Sequence, residues 1–171
     1  EDVEHPEPRW LIVASFLGGV VAVIVAIFAE KYVAELVTNQ NLRYILWAAL
    51  EELLKLAAIA IIALNSLYND EPIDAMIYLI TIAIGFAAVE NTLFLLEPLS
   101  NGNFSEGIAN QSMRFVGATL VHIVSSAIIG FGLGYAFYRG TVAKVIFAAI
   151  CIIAAIALHS ALTVLEPMLS M

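Results

Sequence analysis

Glu51, Glu52, Lys55, Glu90, His122 and His159 interrupt stretches of the chain that are otherwise almost wholly apolar. A charged group near the centre of a bilayer costs about 2.5–3.5 kcal/mol or more on insertion scales, so each such residue needs a partner and usually has a role. Carboxylate with imidazole is a combination that activates water. A glutamate takes the proton, and histidines polarise a carbonyl or bind a metal that does so. Asn91, Ser125, Ser126, Ser160 and Thr163 flank these positions.

Other hydrolytic chemistries lack their residues. An aspartyl dyad needs two carboxylates close enough to share a proton, but Asp2, Asp70 and Asp74 all fall at or beyond one end of the apolar stretches. The zincin string His-Glu-x-x-His does not occur. Ser125 and Ser126 share a stretch with His122, whereas a serine mechanism needs its base across helices. A di-iron bundle wants Glu-x-x-His twice, and the third residues after Glu52 and Glu90 are Lys55 and Leu93.

The elements that must position the polar residues follow from composition. Of 171 residues, 62% are hydrophobic and the mean hydropathy is +0.96, more than a soluble domain of this size can bury. Stretches long enough to cross the hydrocarbon, about 20 residues each, lie at 10–29, 42–64, 73–96, 113–137 and 142–165. Lipid offers backbone groups no hydrogen-bond partner, so each must be a helix. The predicted fold is an all-α, polytopic membrane bundle of about five helices. A polar tail (residues 1–9) precedes a single transmembrane domain (10–171). Glu97–Ser112 is expected to be the one longer loop, and its Asn103-Phe104-Ser105 fits the weak glycosylation sequon. The first span has no basic flank or small-residue cleavage site and is expected to be retained.

Depth links the polar residues. Helices rise about 1.5 Å per residue. Measured from the face where the second span begins, Glu51, Glu52 and His122 lie about nine residues in, and Glu90 and His159 about six. All are therefore on the order of 9–15 Å deep. Convergence from chains running in alternating directions predicts one polar pocket opening toward that face. The first span has nothing comparable and is expected to be scaffold. Structural alternatives stand beside this: a lone intramembrane histidine often only hydrogen-bonds a neighbouring helix, and Lys55 reads equally well as an internal ion pair with Glu51 or Glu52. Spacing pairs Lys55 with Glu51 and frees Glu52.

The remaining features bound the function. Net charge is −8, against nucleic acid and anionic-lipid anchoring. Cys151 is the single cysteine, so neither an intrachain disulfide nor a thiolate cluster can form. Gly130-Phe-Gly-Leu-Gly134 looks like a nucleotide loop but lies inside an apolar span, so it reads as a GxxxG helix contact, and Gly18-Gly19 with it. Lys and Arg in the short loops are equally divided between the two faces, so they set no orientation.

Four strings, Glu51-Glu52-Leu-Leu-Lys55, Gly85-Phe-Ala-Ala-Val-Glu90-Asn91, Arg114 with His122-Ile-Val-Ser-Ser126, and Leu158-His159-Ser-Ala-Leu-Thr163, together resemble the PrsW family of intramembrane proteases. That family is similar to the CAAX-prenyl endopeptidases and abortive-infection membrane proteases. The resemblance covers about Leu42 to the C-terminus. It implies cleavage of a membrane-anchored protein, anti-sigma-factor-like if the host is bacterial, by a multi-pass protein of the cell membrane. It implies catalytic roles for Glu51, Glu52, Glu90, His122 and His159. Glu90 stands where CAAX enzymes have histidine. Thr163 replaces the asparagine that helps their oxyanion, a role that Asn91 or a histidine can take instead. Asn91, Lys55 and Thr163 are thus candidates for substrate or oxyanion binding. Glu52, Glu90, His122 and His159 are candidate ligands for zinc or another divalent metal, although the set can also work without one. Spacing favours Glu52 as the base and the resemblance favours Glu51.

The expected function is a glutamate-dependent intramembrane endopeptidase. A small transporter or ion pathway would line a midplane cavity with the same residue types. It would usually show internal repeats or broken spans, and no convincing repeat and no proline inside a span is found. A catalytically inert scaffold that binds transmembrane segments is the third reading.

Overall fold

The computed structural model describes residues 6–100 and 104–169, with side chains at 97–100, 104–114 and 165–169 left aside. The N-terminal tail up to residue 5, Asn103 of the sequon and the Arg114 side chain therefore lie outside the described residues. Five helices follow one another: α1 (Arg9–Leu36), α2 (Gln40–Ile62), α3 (Asp74–Ser100), α4 (Phe104–Tyr135) and α5 (Thr141–Leu169). Four of them are long and apolar enough to cross a membrane. The other, α2, has 23 residues, about 34 Å at 1.5 Å each, and is set apart by its charges. Those charges face inward: Glu52 and Lys55 are fully buried between helices, which is how a charged helix can sit in hydrocarbon.

The long loop expected over Glu97–Ser112 is corrected. Backbone helix continues to Ser100 and resumes at Phe104. Hydropathy reports where a helix leaves the hydrocarbon, not where it ends, and polar residues beyond the lipid carry on the same hydrogen-bond ladder. Similarly, α1 runs to Leu36, seven residues past the apolar stretch that ends at Ala29. Asn39 then caps α2, its side chain accepting from the Leu42 N–H at 3.0 Å, which fixes the tight α1–α2 turn.

The helices pack as a ring in the order α1, α3, α4, α5, α2, and α2 also leans inward to touch α3 and α4. Large apolar side chains such as Phe28, Ile61, Ile150 and Ile153 stay exposed on the outer face, where lipid would cover them. Small residues set the close approaches. A side chain at Gly19 of α1 would strike the Ile82 carbonyl and Phe86 amide of α3, and one at Gly85 of α3 would strike the Phe16 carbonyl of α1. Gly130 and Gly134 press one face of α4 against Met76 and Pro72, while Gly132 faces Cys151 of α5. The Gly-Phe-Gly-Leu-Gly string is thus helix packing on two sides, as its apolar setting predicted.

Because Gly19 meets backbone rather than a flexible side chain, Gly19→Leu is expected to lower stability by about 1–3 kcal/mol or more. Gly117→Ala, whose added carbon meets nothing within 4 Å, should leave it within about 0.5 kcal/mol. Denaturant unfolding in detergent, followed by circular dichroism, checks both.

Candidate active site

On α2 the residues Ala48, Glu51, Glu52, Lys55 and Ile59 form one buried stripe, the i, i+3, i+4, i+7, i+11 spacing of a helix face. Both glutamates share it with Lys55, and Lys55 Nζ donates to Glu52 Oε1 at 2.6 Å. This corrects the expected Lys55–Glu51 pairing. Spacings of three and four residues both allow contact, and the packing of α2 selects the first. Lys55 also lies 3.2 Å from His122 Nδ1 and 5.3 Å from the centre of the Phe86 ring.

The predicted convergence of α2, α3, α4 and α5 is realised. His122 Nε2 bonds Glu90 Oε2 of α3 at 2.6 Å, and His159 Nδ1 bonds Glu52 Oε1 at 2.8 Å. Where the glutamate is ionised it only accepts, and the imidazole donates from Nε2 of His122 and from Nδ1 of His159. A neutral ring bonded in this way has its lone pair on the other nitrogen, and both of those nitrogens turn to the same place. Glu51 Oε2 lies 3.8 Å from His122 Nδ1 and 3.6 Å from His159 Nε2, with the two rings edge-to-face at 4.9 Å. Phe86 packs on His122 at 5.1 Å between ring centres and walls the cluster on the α3 side.

Glu51, His122 and His159 can thus offer three donor atoms within 4.8 Å of one another. Ligands on a tetrahedral zinc at about 2.0–2.2 Å stand about 3.3–3.6 Å apart, and Glu51 Oε2 stands 3.6 and 3.8 Å from the two imidazole nitrogens. Glu51 Oε2 is buried with no hydrogen-bond partner among the described residues, an orphan acceptor of the kind a cation would satisfy. The donor set therefore fits a divalent metal, with Lys55 as the one competing donor at His122 Nδ1. Glu52 and Glu90, set out from the sequence as candidate ligands, sit behind the imidazoles on their outer nitrogens.

Two flanking residues face elsewhere. The Thr163 hydroxyl donates to the His159 carbonyl at 3.0 Å, a turn back on its own helix. Asn91 Nδ2 donates to Thr119 Oγ1 of α4 at 3.1 Å, beside Glu90 but outside the triangle. Ser125 and Ser126 are fully buried near His122, their hydroxyls without partners among the described residues.

The sequence reading missed Glu30. Its carboxyl lies within side-chain hydrogen-bonding reach of Glu51, and its backbone carbonyl accepts from the Trp47 indole at 3.1 Å. The bond from Trp47 ties α1 to α2 at this level. Glu30 stood just outside an apolar stretch ending at Ala29. Counted from the helix end at Leu36, it lies six residues in, whereas Glu90 and His159 lie ten residues from the ends of theirs. Span one, expected to be scaffold, therefore also brings a carboxyl to Glu51.

Apolar helices closed around a buried glutamate–histidine centre define a multi-pass membrane protein built around an intramembrane polar site. The chain belongs to the PrsW family: the model of the PrsW family intramembrane metalloproteases matches residues 7–166. The match begins before α1 and so includes Glu30. Protease PrsW of Geobacillus kaustophilus (strain HTA426) is 29% identical over 139 residues, 80% of this chain and 58% of that protein. Protease PrsW of Bacillus subtilis (strain 168) is 26% identical over 166 residues, 93% of this chain and 71% of that protein. The chain thus spans little more than half of the G. kaustophilus relative. No solved structure matches.

Removing Lys55 would leave the Glu52 carboxylate uncompensated in the interior. Lys55→Met is expected to destabilise the protein by about 3–5 kcal/mol, and the double variant Lys55→Met with Glu52→Gln to recover much of that loss. Chemical denaturation of the purified variants in detergent measures it.

Proposed function

We propose that the chain is a glutamate- and histidine-dependent intramembrane endopeptidase that hydrolyses a peptide bond in a membrane-anchored protein, with helices α1 to α5 acting as a single transmembrane protease domain. The observation that carries the proposal is the divided use of each imidazole. One nitrogen is fixed by a carboxylate and the other is turned toward Glu51, whose Oε2 has no partner among the described residues. Outer carboxylates that fix the tautomer and orientation of converging histidines are a device of metal centres. The match to the PrsW family over residues 7–166 favours the enzyme over the transporter.

Glu51, His122 and His159 would hold the divalent ion, zinc being the one whose ligand preferences fit best. When bound, such an ion supplies Lewis-acid charge that polarises the scissile carbonyl and makes water a stronger nucleophile. The chain supplies the rest. Glu90 and Glu52 hold His122 and His159 in their productive tautomers, and Lys55 holds Glu52 in place. Those two carboxylates and Glu51 being committed, Glu30 is left to take the proton that water gives up and to return it to the leaving amine. Phe86 and the surrounding apolar helices limit access of bulk water, so charge interactions inside the site are strengthened.

The test is cleavage of a single-pass membrane protein by the purified chain in liposomes. Glu51→Gln and His159→Ala should each lower kcat/KM by about 100-fold or more, and Glu52→Gln by about 10- to 100-fold through loss of His159 orientation. Glu30→Gln should lower kcat while leaving KM unchanged. Unchanged cleavage in Glu51→Gln, Glu52→Gln and His159→Ala together would sink the mechanism.

A further inference from the structure

Beside the polar cluster, α3 and α4 diverge to leave a groove of about 210 Å3 lined by Ile84, Ala87, Ala88, Asn91, Phe115 and Thr119. It is smaller than a small-molecule site, for which roughly 300–1,000 Å3 is usual, and fits one or two side chains of a segment lying along it. Ile84, Ala88 and Phe115 are exposed, so the groove opens outward between two membrane helices. Its polar lining residues neighbour those of the cluster along their helices: Asn91 follows Glu90 directly, and Thr119 stands one turn before His122.

Asn91 says what the groove can take. Its side chain is 5% exposed. Nδ2 is used by Thr119, but Oδ1 has no hydrogen-bond partner among the described residues. Turning the amide over would let it accept from Thr119 and leave the NH2 unspent instead, so in either orientation one polar group is left over. A buried polar group without a partner is costly, and a membrane segment can supply one only from its backbone or a polar side chain. An intact transmembrane helix has its backbone N–H and C=O groups bonded internally. The small Ala87 and Ala88 side chains leave room for a backbone to approach.

We infer that the α3–α4 groove seats a locally unwound segment of a membrane-spanning polypeptide, with Asn91 hydrogen-bonding its exposed peptide group and Ala88 setting the size of the side chain admitted. The inference rests on the protease reading for its purpose, since an unwound segment is what presents a peptide bond to the neighbouring cluster. Asn91 binds the chain in this role and is a specificity determinant alongside Ala88.

The experiment is photo-crosslinking with the full chain in liposomes. A crosslinking residue is placed at Phe115, whose bulk it matches, or, for comparison, at Ile146, an exposed position on α5 outside the groove. Both are made in the Glu51→Gln background. Two single-span reporter polypeptides are offered, one with an unbroken leucine–alanine span and one with a glycine–proline pair interrupting it. Position 115 should capture the interrupted reporter at least fivefold better than the unbroken one, and position 146 should show no preference. In the position-115 protein, Asn91→Ala should lower capture about two- to tenfold, the worth of one hydrogen bond, and Ala88→Phe should lower it further by filling the groove. Equal capture of the two reporters at position 115, or the same preference at position 146, overturns the inference. Cleavage by the chain with Glu51 intact is read in parallel and separates the two proposals. Preference at position 115 without cleavage retains the groove and removes the protease reading, whereas cleavage without preference removes the groove alone.

Discussion

Charge cannot be left unpaired inside a membrane bundle, and the architecture of this protein follows from that constraint. Lys55 and Glu52 are fully buried at 2.6 Å from one another. Glu52 also accepts from His159, and Lys55 reaches His122. A single ion pair on α2 thereby ties α4 and α5 to it. Replacing the pair with apolar residues would remove a desolvation cost, but it would also release the His159 imidazole and leave His122 held by Glu90 alone. Its retention makes sense as a device for orientation rather than for stability.

Packing around the pair serves the same end. The glycines of α1 and α3 bring their backbones together, and those of α4 seat it on the α3 start, so that Glu90 and His122 meet at 2.6 Å. Had bulky side chains stood there, the helices would lie farther apart and a glutamate side chain would not span the gap. The apolar outer surface needs no such precision, since lipid conforms to it. The fold thus concentrates its specificity in the inner seam of α2, α3, α4 and α5.

Much of this was legible from the residues. Depth counting placed Glu51, Glu52, Glu90, His122 and His159 at one level, because rise per residue is nearly constant and span ends are set by hydropathy. The same rule failed for Glu30, since Glu30 and Lys31 ended the apolar stretch while the helix went on to Leu36. The partner of Lys55 was not legible either: a lysine reaches three or four residues back with equal ease, and only the inward lean of α2 decides. Nor could spacing tell which carboxylates sit behind the imidazoles and which faces their lone pairs. That depends on side-chain rotamers fixed by four helices at once, and no one of them encodes it alone.

Glu51, His122 and His159 are proposed to hold a metal ion, with Glu52 and Glu90 orienting the two imidazoles from behind. Elemental analysis and metal titration of the purified, substrate-free protein test this most directly. One divalent ion per chain is expected in the unaltered protein and none in Glu51→Gln or His159→Ala. Glu52→Gln should still bind but about 10- to 100-fold more weakly. A metal-free preparation that cleaves its substrate at the full rate, or metal bound equally well without Glu51 and His159, would contradict it.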